Sequence, residues 1–259
     1  MIVDLHNHTT LCNHAKGTID EYIYKAIEHK TQYFGFSDHA PMDFDQKYRM
    51  TFAQMKTYEQ EILDAKNKYQ DKIEILLGYE VDYLPGYMDD RVLQADVDYL
   101  IGSIHFLEGW GFDNPEFISA WKEQNIDEVW QQYFDTIEKM ANSKLFDIVG
   151  HLDLIKIFEY MPQGDIIKMS RASLMAIKKA DMSIELNSAG YRKNLKEPYP
   201  SKELLQVAFE LDIPITFSSD AHAPQQIAMF HDSILQLAKD VGYTECVYYK
   251  KRKRHSIKF

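Results

Sequence analysis

The sequence predicts one closed α/β barrel. Short apolar runs alternate with amphipathic segments along all 259 residues, and no composition break or Gly/Ser linker divides them. A histidine or acid cluster also follows most of the apolar runs. A barrel gathers the carboxyl ends of its strands at one rim, so clusters scattered in sequence would meet there. A single domain over residues 1–259 is expected.

In chain order, residues 2–5 form the first strand, ending in Asp4-Leu5-His6-Asn7-His8. Thr18-Ile19-Asp20-Glu21 places a capping hydroxyl three residues before a glutamate and starts the first helix. Residues 33–36 run into Ser37-Asp38-His39 as the second strand, and 52–69 are helical. The third strand, 73–77, leads into Gly78-Tyr79-Glu80-Val81-Asp82, and the fourth, 99–104, reaches His105. Segment 109–124, with Trp110, Phe112, Pro115 and Trp121, is irregular and reads as a lid or as packed filler. Asn125-Ile126-Asp127-Glu128 starts the next helix, and strand 146–149 ends in Gly150-His151-Leu152-Asp153. A helix over 172–180, a strand over 182–186, a helix capped by Ser201 and a strand over 213–217 follow. The last strand ends in Ser219-Asp220-Ala221-His222, before a helix over 226–240. Bounded apolar runs of this kind suit parallel strands covered on both faces. There are seven strand candidates rather than eight.

Composition narrows the function. A net charge of −11 argues against a nucleic-acid-coating surface, which needs clustered Lys and Arg. The run Lys250-Lys251-Arg252-Lys253-Arg254 reads as a solvated terminal segment. No apolar stretch reaches membrane-spanning length, and the first residues carry no basic region or cleavage site of a signal peptide. With only Cys12 and Cys246 for disulfides, a reducing cytoplasm is the expected compartment. A homo-oligomer is compatible with the sequence.

The clusters point to metal. Imidazole and carboxylate are the usual protein ligands of Zn, Mn and Fe. His6 and His8, two apart in extended chain, face one side with Cα atoms about 6–7 Å apart and can clasp one ion. Asp220 and His222 repeat that spacing. Glu80 and Asp82 share a face, and only one is expected to be a ligand. Glu80 follows Gly78, which would permit close backbone approach, and is the natural bridge between two ions. With His14, His39, His105 and His151 the ligands number nine, too many for one tetrahedral ion and enough for two or three. Asp4, Asp38 and Asp153 would either orient a ligand imidazole or serve the scaffold. Cys12 and Cys246 read as structural, and His29, His231 and His255 as surface histidines. Arg192, beyond the sixth strand, has the planar fork that fits phosphate oxygens, and Lys156 follows His151 closely enough to reach the same site. Both, with Glu80, are the candidate catalytic residues.

His6-x-His8, His14, Asp38-His39, Glu80, His105, His151 and Asp220-x-His222 together resemble the polymerase-and-histidinol-phosphatase (PHP) superfamily. Ser37-Asp38-His39-Ala40-Pro41, Gly102-Ser103-Ile104-His105-Phe106, Glu197-Pro198-Tyr199-Pro200-Ser201 and Ser219-Asp220-Ala221-His222-Ala223-Pro224 resemble its histidinol-phosphatase branch. The resemblance implies a distorted (β/α)7 barrel, three metal ions and hydrolysis of a small-molecule phosphate monoester, L-histidinol phosphate. It would put His6, His8, Glu80 and Asp220 on one ion, Glu80, His105 and His151 on a second, and His14, His39 and His222 on a third. Rival readings are a phosphoesterase for phosphotyrosine or nucleotide phosphates, an amidohydrolase-like barrel, and a non-catalytic metal-binding regulator. The extra His14, His39 and His222 speak against the amidohydrolase, and the intact ligand set against the regulator. For histidinol phosphate, Asp43-Phe44-Asp45 and Glu108 are the expected acceptors of the substrate's cationic end.

Overall fold

The computed structural model describes residues 1–259. Its first half contains β1 (Val3–Asp4), α1 (Ile19–Glu28), β2 (Tyr33–His39), α2 (Met55–Tyr69), β3 (Glu74–Asp82), α3 (Asp90–Leu93), β4 (Tyr99–Ser103), β5 (Phe106–Leu107) and β6 (Trp110–Gly111). The second half adds α4 (Ile126–Ser143), β7 (Ile148–Val149), α5 (Ile166–Lys179), β8 (Ser183–Asn187), α6 (Lys202–Glu210), β9 (Ile215–Ser218), α7 (His231–Val241), β10 (Glu245–Lys250) and β11 (Lys253–Lys258).

The seven expected strands make one parallel sheet of order β1-β2-β3-β4-β7-β8-β9. It closes where Leu5 N donates to Phe217 O at 3.1 Å and His8 N to Ala221 O at 3.0 Å, giving a (β/α)7 barrel. Tyr99 crosses the interior, its hydroxyl donating to Leu5 O at 2.6 Å. A Cβ at Gly78 would lie 2.6 Å from that ring, so this glycine admits Tyr99 rather than bringing backbone to a metal. One apolar cluster extends from Val3 to Tyr249. No helix is long and apolar enough to cross a membrane.

Helix starts follow local chemistry. Thr18 and Glu21 form the expected capping box on α1, with bonds of 2.7 and 3.3 Å. α5 begins at Ile166 rather than at 172, because Asp165 accepts from Ile167 N at 2.9 Å and Lys168 N at 3.2 Å. α7 begins at His231 rather than at 226, since Ala228 and Phe230 adopt positive φ of 57° and 61° and break the helix before it.

Two segments take definite form: one gains counter-charges, and the other resolves to the packed alternative. The basic run is largely solvated, as expected, but is no loose tail: it spans the turn of the β10–β11 hairpin and pairs with acids near the amino ends of the strands. Lys250 Nζ pairs with Glu74 at 3.2 Å, Arg252 with Asp147, and Arg254 Nη2 with Asp181 at 2.7 Å. Tyr249 anchors the hairpin through Asp147 O and Ser183 Oγ at 3.1 and 3.0 Å. Segment 109–124 is packed: Trp121 is buried, donates to Phe112 O at 2.9 Å and stacks on Tyr160.

Candidate metal centre

The centre lies at the carboxyl rim, and Glu80 is its hub. From the end of β3 its buried carboxylate points Oε2 at His39 Nδ1 (2.9 Å) and His6 Nε2 (3.3 Å). Oε1 lies 3.0 Å from His151 Nε2, 3.5 Å from His105 Nε2, and accepts from Ser103 Oγ at 2.8 Å. His8 Nε2 is 3.2 Å from Asp220 Oδ1 and 3.8 Å from Glu80 Oε2. Beyond it, the His14 and His222 rings stack with centroids 4.6 Å apart.

Ligand atoms draw within 4.8 Å of one another in His6, His8 and Glu80, in Glu80, His105 and His151, and in His14, His39 and His222. Two further sets meet the same distance, His8 with Cys12 and His222, and His39 with Asp82 and His105. His6 Nε2, His8 Nε2, His39 Nδ1 and Glu80 Oε2 are buried and make no directed hydrogen bond. Converging buried lone pairs that bond nothing else are what a cation requires, so these residues fit a divalent-metal centre.

The electrostatics separate the rings. Burial opposes ionisation of Glu80, yet the imidazoles of His6, His39 and His105 outweigh it and hold the carboxyl well below its ordinary range. Burial, with His8 adding to it, pushes His39 down to about 4, and the same pair holds His222 well below normal. These two rings are neutral near pH 7 and available as ligands. His105 is desolvated too, but Asp82 and Glu80 overcome this and raise it to about 10.

Behind the convergent atoms stand groups that orient the rings. Asp38 Oδ1 faces His8 Nδ1 at 3.3 Å, and Asp82 Oδ1 faces His105 Nδ1 at 2.8 Å while its other oxygen accepts from Arg49 Nη1 at 3.0 Å. His14 Nδ1 lies 2.8 Å from Cys12 O. Asp4 instead accepts from Ser219 N and Oγ at 3.0 and 2.6 Å, and Asp153 from Ser201 N at 2.9 Å, so both serve the scaffold. Cys12 is buried and its thiol donates to Thr9 O at 3.1 Å. His29 and His255 are exposed, but His231 is buried against Phe217, a correction to its reading as a surface residue.

A cavity of about 480 Å³ opens over the centre. Arg192 lines it, with Nη2 donating to Asp220 O at 2.9 Å and Nη1 buried without a partner. Lys156 does not line it. The turn Leu154–Lys156 directs its buried Nζ to Asp153 (2.8 Å), Pro198 O (2.9 Å) and Glu197 (3.3 Å). Of the expected acidic acceptors, Asp45 lines the cavity, whereas Asp43 and Glu108 are exposed away from it. Asp113 and Tyr199 line it and were not singled out from the sequence; the Tyr199 hydroxyl is buried and unpartnered. Tyr199 sits in the quoted Glu197-Pro198-Tyr199-Pro200-Ser201 word, the one signal that could have drawn it out. Glu185, buried in β8, was also missed; a lone acid inside an apolar strand was its signal.

A family model described as PHP domain matches residues 4–189. A probable histidinol-phosphatase of Deinococcus radiodurans is 35% identical over 247 residues, covering 93% of this chain and 94% of that one. The histidinol-phosphatase of Bacillus subtilis is 28% identical, with 90% and 98% covered. A histidinol phosphate phosphatase from Lactococcus lactis, solved with zinc, L-histidinol and phosphate, shares the fold at a TM-score of 0.80. It is 21% identical, with 98% of each chain covered.

Proposed function

The chain belongs to the PHP-domain family, and from that premise we propose that it is a metal-dependent phosphatase hydrolysing L-histidinol phosphate to L-histidinol and phosphate in histidine biosynthesis. One observation carries the reading: Arg192, whose buried Nη1 has no partner, lines the same cavity as Glu80 and His14, His39, His105, His151 and His222. The names of the Deinococcus and Bacillus relatives supply the substrate.

In this reading His6, His8, Glu80 and Asp220 hold one ion, Glu80, His105 and His151 a second, and His14, His39 and His222 a third, each Zn, Mn or Fe. Such ions supply Lewis-acid charge neutralisation at phosphorus and activation of water near neutral pH. The chain does the rest. Arg192 Nη1 and the Tyr199 hydroxyl donate to phosphoryl oxygens, where fixed donors count most as charge develops. Burial keeps the Tyr199 hydroxyl protonated, raising it far above the ordinary phenol range, so it remains a donor. Asp45 and Asp113 accept from the ammonium and imidazole of the substrate. Lys156 touches no substrate and holds Asp153, Glu197 and Pro198, which flank Tyr199 in the fold. We place this single-domain enzyme in the cytoplasm, where Cys12 and Cys246 remain free thiols.

Phosphate release from L-histidinol phosphate, before and after chelation, tests the proposal. Activity should vanish with the chelator and return with Zn or Mn. Turnover indifferent to chelation contradicts it.

A further inference from the structure

Glu185 is fully buried in β8, between Ile184 and Leu186, and does not line the cavity. A carboxylate inside a barrel loses its hydration and is costly there unless donors replace the water. Its donors are specific. Oε1 accepts from His151 N at 2.6 Å and Asn187 Nδ2 at 2.8 Å, and Oε2 lies 2.9 Å from His6 Nδ1. The other nitrogen of His6 faces the hub, 3.3 Å from Glu80 Oε2. His6 follows β1 and His151 follows β7, so this one side chain joins residues on strands that do not pair with each other.

We infer that Glu185 is a positioning residue of the metal centre, holding the proton of His6 on Nδ1 so that Nε2 is presented as a ligand, and fixing the backbone of His151 in the same step. The inference rests on the metal-centre reading above, and extends it to a residue outside the ligand set. A carboxylate can only accept, and both oxygens are committed, so the hydrogen between Glu185 and His6 belongs to the ring. His6 and His151 serve different ions in that reading, and Glu185 therefore couples their two positions. Partners of this kind change metal affinity by about 10–100-fold when removed.

Glu185→Gln conserves shape and breaks the logic. If the amide oxygen serves His151 N and Asn187, the amide nitrogen donates to His6 Nδ1 and drives the ring proton onto Nε2. If the amide flips, its nitrogen meets two donors. Zinc-loaded wild type and E185Q are compared by metal analysis against a competing chelator and by ¹⁵N–¹H imidazole spectra. Wild type should show a His6 Nδ1–H proton and a metal-shifted Nε2. E185Q should lose that proton signal and about 10–100-fold in affinity for part of its metal, with an unchanged circular dichroism spectrum. Should E185Q fail to fold, the wild-type spectrum decides alone: His6 with its proton on Nε2, or with Nδ1 on the metal, overturns the inference. Wild type and E185Q loading alike also overturns it, while the metal-centre reading stands. A wild type that takes up no metal removes both.

Discussion

Glu80→Gln alters a charge and almost nothing else at the point where four imidazoles meet a carboxylate. His6, His39, His105 and His151 all lie within 3.5 Å of its oxygens. Unit charges about 4 Å apart interact by about 4 kcal/mol at an effective dielectric near 20, and a cation held by this group loses at least that attraction. If relaxation and the remaining amide oxygen recover a third, about 2.7 kcal/mol is lost, which is a hundredfold in metal affinity. Turnover should fall by at least about 10²-fold, since the group assembles the charge clamp. Shape is conserved, so circular dichroism should not change. Metal analysis after equilibration with a chelator, beside phosphate release, gives both numbers. Full metal occupancy with near-normal turnover would refute the bridging role.

His14→Ala, His39→Ala and His222→Ala should each lower metal stoichiometry by a similar amount, because the three are assigned to one ion; His14 behaving independently of the others breaks that assignment. Arg192→Ala should raise KM for every phosphate ester alike. Asp45→Asn should raise it about tenfold for L-histidinol phosphate and leave a simple aryl phosphate unaffected, the worth of one charge-assisted hydrogen bond. Equal effects of Asp45→Asn on both substrates would remove Asp45 from the specificity pocket. Away from the centre, burial pushes His231 down to about 4, with the Met1 amine adding to it, against 6.5 unperturbed. The unfolded chain then binds the extra proton between those values, so the stabilisation is complete above about pH 6.5 and is lost as pH falls towards about 4, by at most about 3 kcal/mol. Wild type should lose more Tm than His231→Leu between about pH 7 and about pH 4.5; parallel slopes would contradict the burial argument.

What the sequence made legible was local. His6-x-His8 and Asp220-x-His222 announce themselves by spacing, and each strand appears as a bounded apolar run because the barrel covers both faces. What stayed hidden depends on partners distant in sequence. Glu185 reads as a stray acid until β8 sets it behind His6, and Tyr199 as one more aromatic until its hydroxyl is found unpartnered over the centre. The pairings of the basic run stayed hidden because Glu74, Asp147 and Asp181, its counter-charges, lie at the starts of other strands or just before them. Lys156 shows the reverse error. Closeness to His151 suggested the site, but the intervening turn aims it at Asp153 and Glu197 instead.

A phosphatase with metals at one end of its cavity and Asp45 and Asp113 beside them should distinguish its substrate at both ends. The most direct test is kcat/KM of the metal-loaded protein for L-histidinol phosphate, phosphotyrosine, a nucleoside monophosphate and a simple aryl phosphate, assayed in parallel. A clear preference for L-histidinol phosphate is expected, of about tenfold or more over the aryl ester, set by Asp45 and Asp113 at the cationic end. Equal efficiency across the panel, or a preference for phosphotyrosine or the nucleotide, would contradict it.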